Sequence, residues 1–178
     1  MYDLDALPED GKNHELADGW LFELSHSVRH DHAAERLKDL LKRVAGAEMY
    51  IAGGSNDVAT AAGVRKPDVI VMTRDAARAT KERKARTIYG AEVLLAVEVV
   101  SPRSGSEQHD RVRKVREYAA TGIPMYWIVD LEPSPTVAVM ELDGDAYRLT
   151  RLAKAGEKLT GDFPFPFSFD PGTLTDLE

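Results

Sequence analysis

A mixed α/β (α+β) fold is predicted by three observations: short apolar runs of strand type, two amphipathic segments of helical period, and Asp-Gly turns between apolar segments toward each end of the chain. The main runs are Val69 to Met72, Val93 to Val100 and Met125 to Val129, and the helical segments are 29–45 and 107–121. Together they predict a mixed, partly antiparallel β-sheet flanked by helices, with N- and C-terminal β-hairpins. The 178 residues hold no internal repeat, low-complexity tract or Gly/Ser linker, so a single domain, 1–178, is expected. A chain of this length buries roughly 70% of its unfolded surface, enough for a core without staples, and the absence of cysteine excludes a disulfide scaffold.

Each element follows from its local pattern. His14-Glu15-Leu16 and Trp20 to Leu24 flank Ala17-Asp18-Gly19, a hairpin signal. Residues 29–45 place Ala33, Ala34, Leu37, Leu40, Leu41 and Val44 at helical spacing, with charges on the opposite face and Gly46 as the stop. Two weaker strands are expected around Glu48 to Ala52 and Asp57 to Thr60, separated by the turn-forming Gly53-Gly54-Ser55-Asn56. Pro67-Asp68 introduces the buried strand Val69 to Met72, and residues 74–86 read as a charged excursion. Val93 to Val100 is the most strand-like segment and stops at Ser101-Pro102. Residues 107–121 carry Val112, Val115, Tyr118 and Ala119 at helical spacing and stop at Gly122. Thr136 to Leu142, Asp143-Gly144-Asp145 and Tyr147 to Leu152 form the closing hairpin, and the Phe163 to Phe167 alternation is expected to cover an open sheet edge.

Charge and hydropathy narrow the function. The opening MYDLDALPED is acidic without an apolar block, which does not suit a secretory signal, and no apolar run exceeds five residues, so a soluble cytoplasmic protein is expected. The net charge of −7 divides into −6 over residues 1–25, +5 over 26–129 and −6 over 130–178. A basic middle between acidic ends permits a phosphate-facing surface, although a difference between solvent-facing sides gives the same count.

Glu98 is the most informative residue, because it stands alone among apolar neighbours in VLLAVEVV. An unpaired buried carboxylate costs several kcal/mol or takes up a proton, so a chain that keeps one usually supplies a cation or a metal. Asp68 has the same character at the head of its apolar strand. If the two strands are neighbours, the carboxylates meet at one sheet edge, and two hard oxygen donors with water and a substrate phosphate suit Mg²⁺. The plainer reading is a strand-entry cap for Asp68 and an arginine partner for Glu98. Asp110, Lys114 and Tyr118 follow at i, i+4 and i+8 on one helical face, which by itself describes a solvated Asp-Lys pair.

Three segments carry a resemblance. Arg65-Lys66-Pro67-Asp68-Val69, then Ala96-Val97-Glu98-Val99-Val100-Ser101-Pro102, then Asp110-x-x-x-Lys114-x-x-x-Tyr118-x-x-x-Gly122-Ile123-Pro124-x-Tyr126-Trp127-Ile128-Val129-Asp130 resemble the bacterial putative restriction endonuclease family of the PD-(D/E)XK nuclease superfamily. His14-Glu15-Leu16-x-Asp18-Gly19 is similar to that family's opening motif, and His30 stands where its helix histidine does.

The resemblance implies a restriction endonuclease-like core and an endonuclease that uses Mg²⁺ (or Mn²⁺) to hydrolyse DNA phosphodiester bonds, with Asp68 and Glu98 as metal-binding acids. The superfamily's lysine, normally two residues after the acid, is replaced here by Val100, and the resemblance shifts that role to Lys114. It further assigns Glu15 as an added carboxylate and Asp110 as the residue orienting Lys114. DNA is the implied partner, and a homodimer suits the cutting of two strands.

The other expected functions are an inactive nuclease-fold module that binds nucleic acid or a protein partner, and a structural dimer with the charged cluster at its interface. His26 and His30 lack a His-Glu-x-x-His pattern, so zinc is not expected. No phosphate-loop lysine, Rossmann spacing or nucleophile elbow is present. Asp130 closes a buried strand from which it could approach the site, although a turn or structural hydrogen bond is the plainer reading. Arg74 to Arg86 holds six bases and two acids between the two acid-bearing strands, which fits a solvated face or phosphate contact.

Overall fold

The computed structural model describes residues 14–17, 19–23, 27–100 and 109–177. The acidic opening, Asp18, His26 and the Ser101-Pro102 stop lie outside the described residues, as does the side chain of Asp110. The strands and helices run in the order β1 (His14–Ala17), β2 (Trp20–Glu23), α1 (Val28–Val44), β3 (Met49–Gly53), β4 (Asp57–Thr60), β5 (Gly63–Arg65), β6 (Val69–Thr73), α2 (Arg74–Glu82), β7 (Thr87–Tyr89) and β8 (Val93–Val100). A π-helical turn, His109–Arg113, leads into α3 (Lys114–Thr121), followed by β9 (Met125–Asp130), β10 (Thr136–Asp143), β11 (Ala146–Lys154), β12 (Leu159–Gly161) and β13 (Phe167–Phe169). Among the described residues no helix is long and apolar enough to cross a membrane.

The central sheet has six strands in the order β11-β10-β9-β8-β6-β3, antiparallel throughout except for the β8/β9 pair. That one parallel pair is what α3 makes possible, because parallel neighbours need a crossover. Period two then sorts every side chain. Val69, Val71, Leu95, Val97, Val99, Trp127 and Val129 pack on α1, whose buried face is Ala33, Leu37 and Leu41. Ile70, Met72, Ala96, Val100, Tyr126 and Ile128 pack on the opposite side with Tyr118 of α3. Glu98 shares the parity of Ala96 and Val100 and so faces α3.

The expected N-terminal pair β1/β2 does not extend this sheet. It joins a second sheet of five strands, β2-β1-β5-β4-β7, whose Val58 and Ile88 close the α3-side core. β5 and β7 have three residues each, too short for a legible alternation.

Helix boundaries follow local chemistry. Ser27 Oγ accepts the His30 amide at 3.2 Å, Asp31 sits in the first turn of α1, and Lys42 and Arg43 sit in its last, all favourable to the helix dipole. The charged excursion is in part the helix α2, capped by Thr73 Oγ1 accepting the Ala76 amide at 3.2 Å. None of its residues is fully buried, and its apolar stripe is made of alanines alone, Ala76 and Ala77 resting half-buried on the α3-side core, so the charges on its other face dominate the local pattern. In the second amphipathic segment the π-helical turn widens the spiral before Lys114, and the expected inward Val112 is 47% exposed while Lys114, Glu117 and Tyr118 are buried.

The closing hairpin forms as expected, with Gly144 at φ +67° in its turn. The phenylalanine segment covers a sheet face and not an edge. Phe167 and Phe169 lie 4.9 and 6.1 Å from the Trp127 ring, between centroids, in the α1-side core.

Candidate active site

Asp68 directly precedes Val69, whose partner on β8 is Val97, so extending the register by one residue sets Asp68 opposite Glu98. The two strands are anchored there by the Asp68 amide, which donates to Val97 O at 2.9 Å, and by the Val99 amide, which donates to Asp68 Oδ2 at 2.7 Å. His30 of α1 reaches the same oxygen, with Nε2 at 3.1 Å, while its Nδ1 lies 3.2 Å from Asp31 Oδ1. Burial disfavours the imidazolium, but hydrogen bonds and charge from Asp68 and then Asp31 outweigh it and raise the His30 pKa above its ordinary value. All the side-chain contacts of Asp68 among the described residues fall on Oδ2.

Glu98 is engaged from α3. Tyr118 donates its hydroxyl to Glu98 Oε1 at 2.7 Å, and Lys114 Nζ lies 2.9 Å from Glu98 Oε2. Burial, then the Glu98 charge, holds the Tyr118 phenol well above its usual pKa, so it stays a donor. Lys114 Nζ also lies 3.0 Å from Glu15 Oε1 on β1, an oxygen that accepts the Lys66 amide at 2.9 Å. Glu15, Asp68, Glu98 and Lys114 are each at most 5% exposed. An ammonium held between two buried carboxylates is thus fixed by three elements, with one positive charge shared by two negative ones.

The position two residues after Glu98 is shut to a cation of its own, because Val100 is 1% exposed and packs in the apolar cluster of the α3 side. Lys114 approaches the same face from the helix.

A second buried pair steadies this helix. Arg65 donates from Nε and an Nη to the two oxygens of Glu117, each at 2.7 Å, and also donates to Leu16 O. Arg65 is wholly buried, and it lies three residues before Asp68. Beside it, Lys66 Nζ sits 2.5 Å from Asp57 Oδ1.

Of the residues singled out in the sequence, Glu15, Glu98 and Lys114 meet directly, with Asp68 on the adjoining strand. Asp130, opposite Val100 in the register of β8 and β9, pairs with Arg111. Two contributors escape sequence reasoning. Glu117 reads as one more charged helix residue. The contact of His30 with Asp68 joins elements that no local pattern relates; the histidine's place on the apolar face of α1 was the available signal.

The donor set is two carboxylates on adjacent strands, hard oxygen donors of the kind a divalent cation prefers, and the contacts of Asp68 among the described residues fall on Oδ2. Among the described residues no three His, Cys, Asp or Glu side chains form a ligand group, so an ion here would have Asp68 and Glu98 as its protein donors.

Residues 1–175 match the model of the Uma2 family, described as "Putative restriction endonuclease". A search of curated proteins gives no match. Among solved structures the chain is similar to one described as a putative nuclease belonging to DUF820 from Anabaena variabilis ATCC 29413, with a TM-score of 0.65, 15% identity, and coverage of 88% of this chain and 86% of that one. That likeness shows that the mixed α+β architecture is shared with that structure.

Proposed function

Because the chain belongs to the Uma2 family of putative restriction endonucleases, we propose that it is a divalent-metal-dependent endonuclease that hydrolyses DNA phosphodiester bonds through Asp68, Glu98 and Lys114. The observation that carries this reading is the Lys114 ammonium, 2.9 Å from Glu98 and 3.0 Å from Glu15, one strand from Asp68. Such an arrangement concentrates two metal-type donors and one fixed cation in a site closed to bulk solvent, where electrostatic stabilisation is strongest.

Asp68 and Glu98 would hold Mg²⁺ or Mn²⁺, which supplies charge neutralisation and an activated water at a phosphodiester. The chain's own groups do the rest. The Val99 amide and His30 fix the Asp68 carboxylate through Oδ2, leaving Oδ1 for the ion. Tyr118 and Lys114 fix the Glu98 carboxylate, one on each oxygen. Lys114 lies between two carboxylates and directs positive charge at the phosphate as negative charge develops on it. Glu15 restrains the lysine from the far side. Two such sites in a homodimer suit cleavage of both strands.

Burial of Val100 where the superfamily carries its lysine favours one other reading, an inactive module that binds nucleic acid without cutting it. Incubation of supercoiled plasmid with the protein and Mg²⁺ or Mn²⁺, against a chelator control, separates the two. Nicking or linearisation that needs the metal and is lost in Glu98→Gln supports the endonuclease; intact plasmid with retained DNA binding overturns it.

A further inference from the structure

Two cavities of about 550 and 560 Å³ lie side by side along β3 and share Tyr50, Asn56 and Arg74. Among the described residues β3 is the terminal strand of the six-stranded sheet and pairs only with β6, so this trough follows that sheet edge between α1 and α2. Its walls carry Lys38 and Lys42 from α1, Arg74, Arg78 and Lys81 from α2, and Arg86, which pairs with Asp57, while among the described residues no Asp or Glu lines either cavity. In a chain of net charge −7 this is a pronounced local reversal. Lys42 and Lys81 have no ion pair among the described residues. Lys38 pairs with Glu35 and Arg78 with Asp75, contacts that are partly exposed and therefore weak beside a polyanion.

Tyr50 stands at the junction of the two cavities and is 39% exposed, an aromatic ring on a sheet edge with cations on both sides. One end of the trough is the Gly53 to Asn56 turn, and Gly53 pairs with Val69, the residue after Asp68, so that end lies next to the strand start that carries Asp68.

We propose that this trough is the track along which a single-stranded nucleic-acid segment runs to the Asp68–Glu98 site, its backbone on Lys42 and Lys81 and an unpaired base stacked on Tyr50. A cationic groove with an aromatic platform is the arrangement that holds single strands without reading sequence. The assignment rests on the nuclease reading for its direction toward Asp68, and its own evidence is the trough.

The test is fluorescence anisotropy of a labelled twenty-nucleotide oligothymidylate with the full chain and a chelator present, so that binding is read without cleavage. Tyr50→Ala should weaken binding about 5- to 150-fold, whereas Tyr50→Phe should bind like the wild type. Lys42→Ala with Lys81→Ala should lower the slope of log affinity against log salt by about 1.4 on this single strand. Arg148→Ala, on the exposed β11, should change neither. No binding by the wild type, an unchanged slope in the double variant, or equal binding by Tyr50→Ala and Tyr50→Phe would overturn the track. So would an equal effect of Tyr50→Ala on a blunt duplex, where no base is free to stack. The plasmid assay reports separately: absent cleavage with these binding losses intact removes the nuclease and keeps the trough, and metal-dependent cleavage with none of them does the reverse.

Discussion

Arg65 and Glu117 form a two-pronged ion pair in the interior, Nε and Nη each 2.7 Å from a carboxylate oxygen, with the arginine wholly buried. The pair joins β5, which leads into Asp68, to the helix that carries Lys114. Arg113 adds a contact to Glu117 Oε1 at 3.2 Å. Breaking a buried pair from one side leaves an uncompensated charge, so Arg65→Ala or Glu117→Ala should cost about 3–5 kcal/mol of stability. Arg65→Lys should recover little, because an ammonium cannot reproduce two parallel hydrogen bonds. Urea denaturation measures all three, and a loss below about 1 kcal/mol would show that the helix is held by its apolar face alone.

Asp68→Ala and Glu98→Ala should each abolish stabilisation by divalent metal. A ligand that binds only the folded state raises the melting temperature in proportion to its occupancy. Mg²⁺ or Mn²⁺ should therefore raise the melting temperature of the wild type and leave both variants where they were. Equal metal-induced shifts in all three proteins would dismiss the two-carboxylate site.

Lys114→Ala should lower the cleavage rate on the order of 10²-fold or more while metal stabilisation is kept, as expected for loss of a positioned charge. Glu15→Gln should cost less, because Glu98 still holds the ammonium from the other side. Single-turnover cleavage at saturating metal compares them, and undiminished cleavage by Lys114→Ala would remove the lysine from the reaction.

Stability should fall at alkaline pH through Tyr147. Its hydroxyl donates to Ile123 O at 2.6 Å, and burial raises its pKa well above the ordinary phenol value. The stability it contributes is fully present below the unfolded-state pKa of about 10. Above that pH the unfolded chain releases a proton that the folded chain keeps, and stability is lost as pH rises. Tyr147→Phe should flatten this decline without abolishing it, since Tyr118 is shifted in the same direction. Urea midpoints between pH 9 and 11 report the difference.

What was legible in the sequence is what short-range periodicity encodes. Asp68 and Glu98 stood out because each interrupts an apolar run, α1 because its stripe recurs every three to four residues, and the last hairpin because its turn needs a glycine at positive φ. α2 is hard to read because its inward face is only half-buried alanine under a dense run of charge, and Val112 reads as inward because a π-helical turn shifts the face without changing composition.

The sequence by itself therefore determined the two carboxylates, the strands that bear them and the helix that follows, since desolvation cost and side-chain period are local properties of the chain. Only the tertiary structure decided their company. Glu15 and Lys66 are 51 positions apart, and Arg65 and Glu117 are 52 apart. His30 reaches Asp68 from the opposite face of the sheet. Such contacts depend on which strands pair and which helix covers them. The pairing is set by the burial of the whole core, and no single segment carries a record of it.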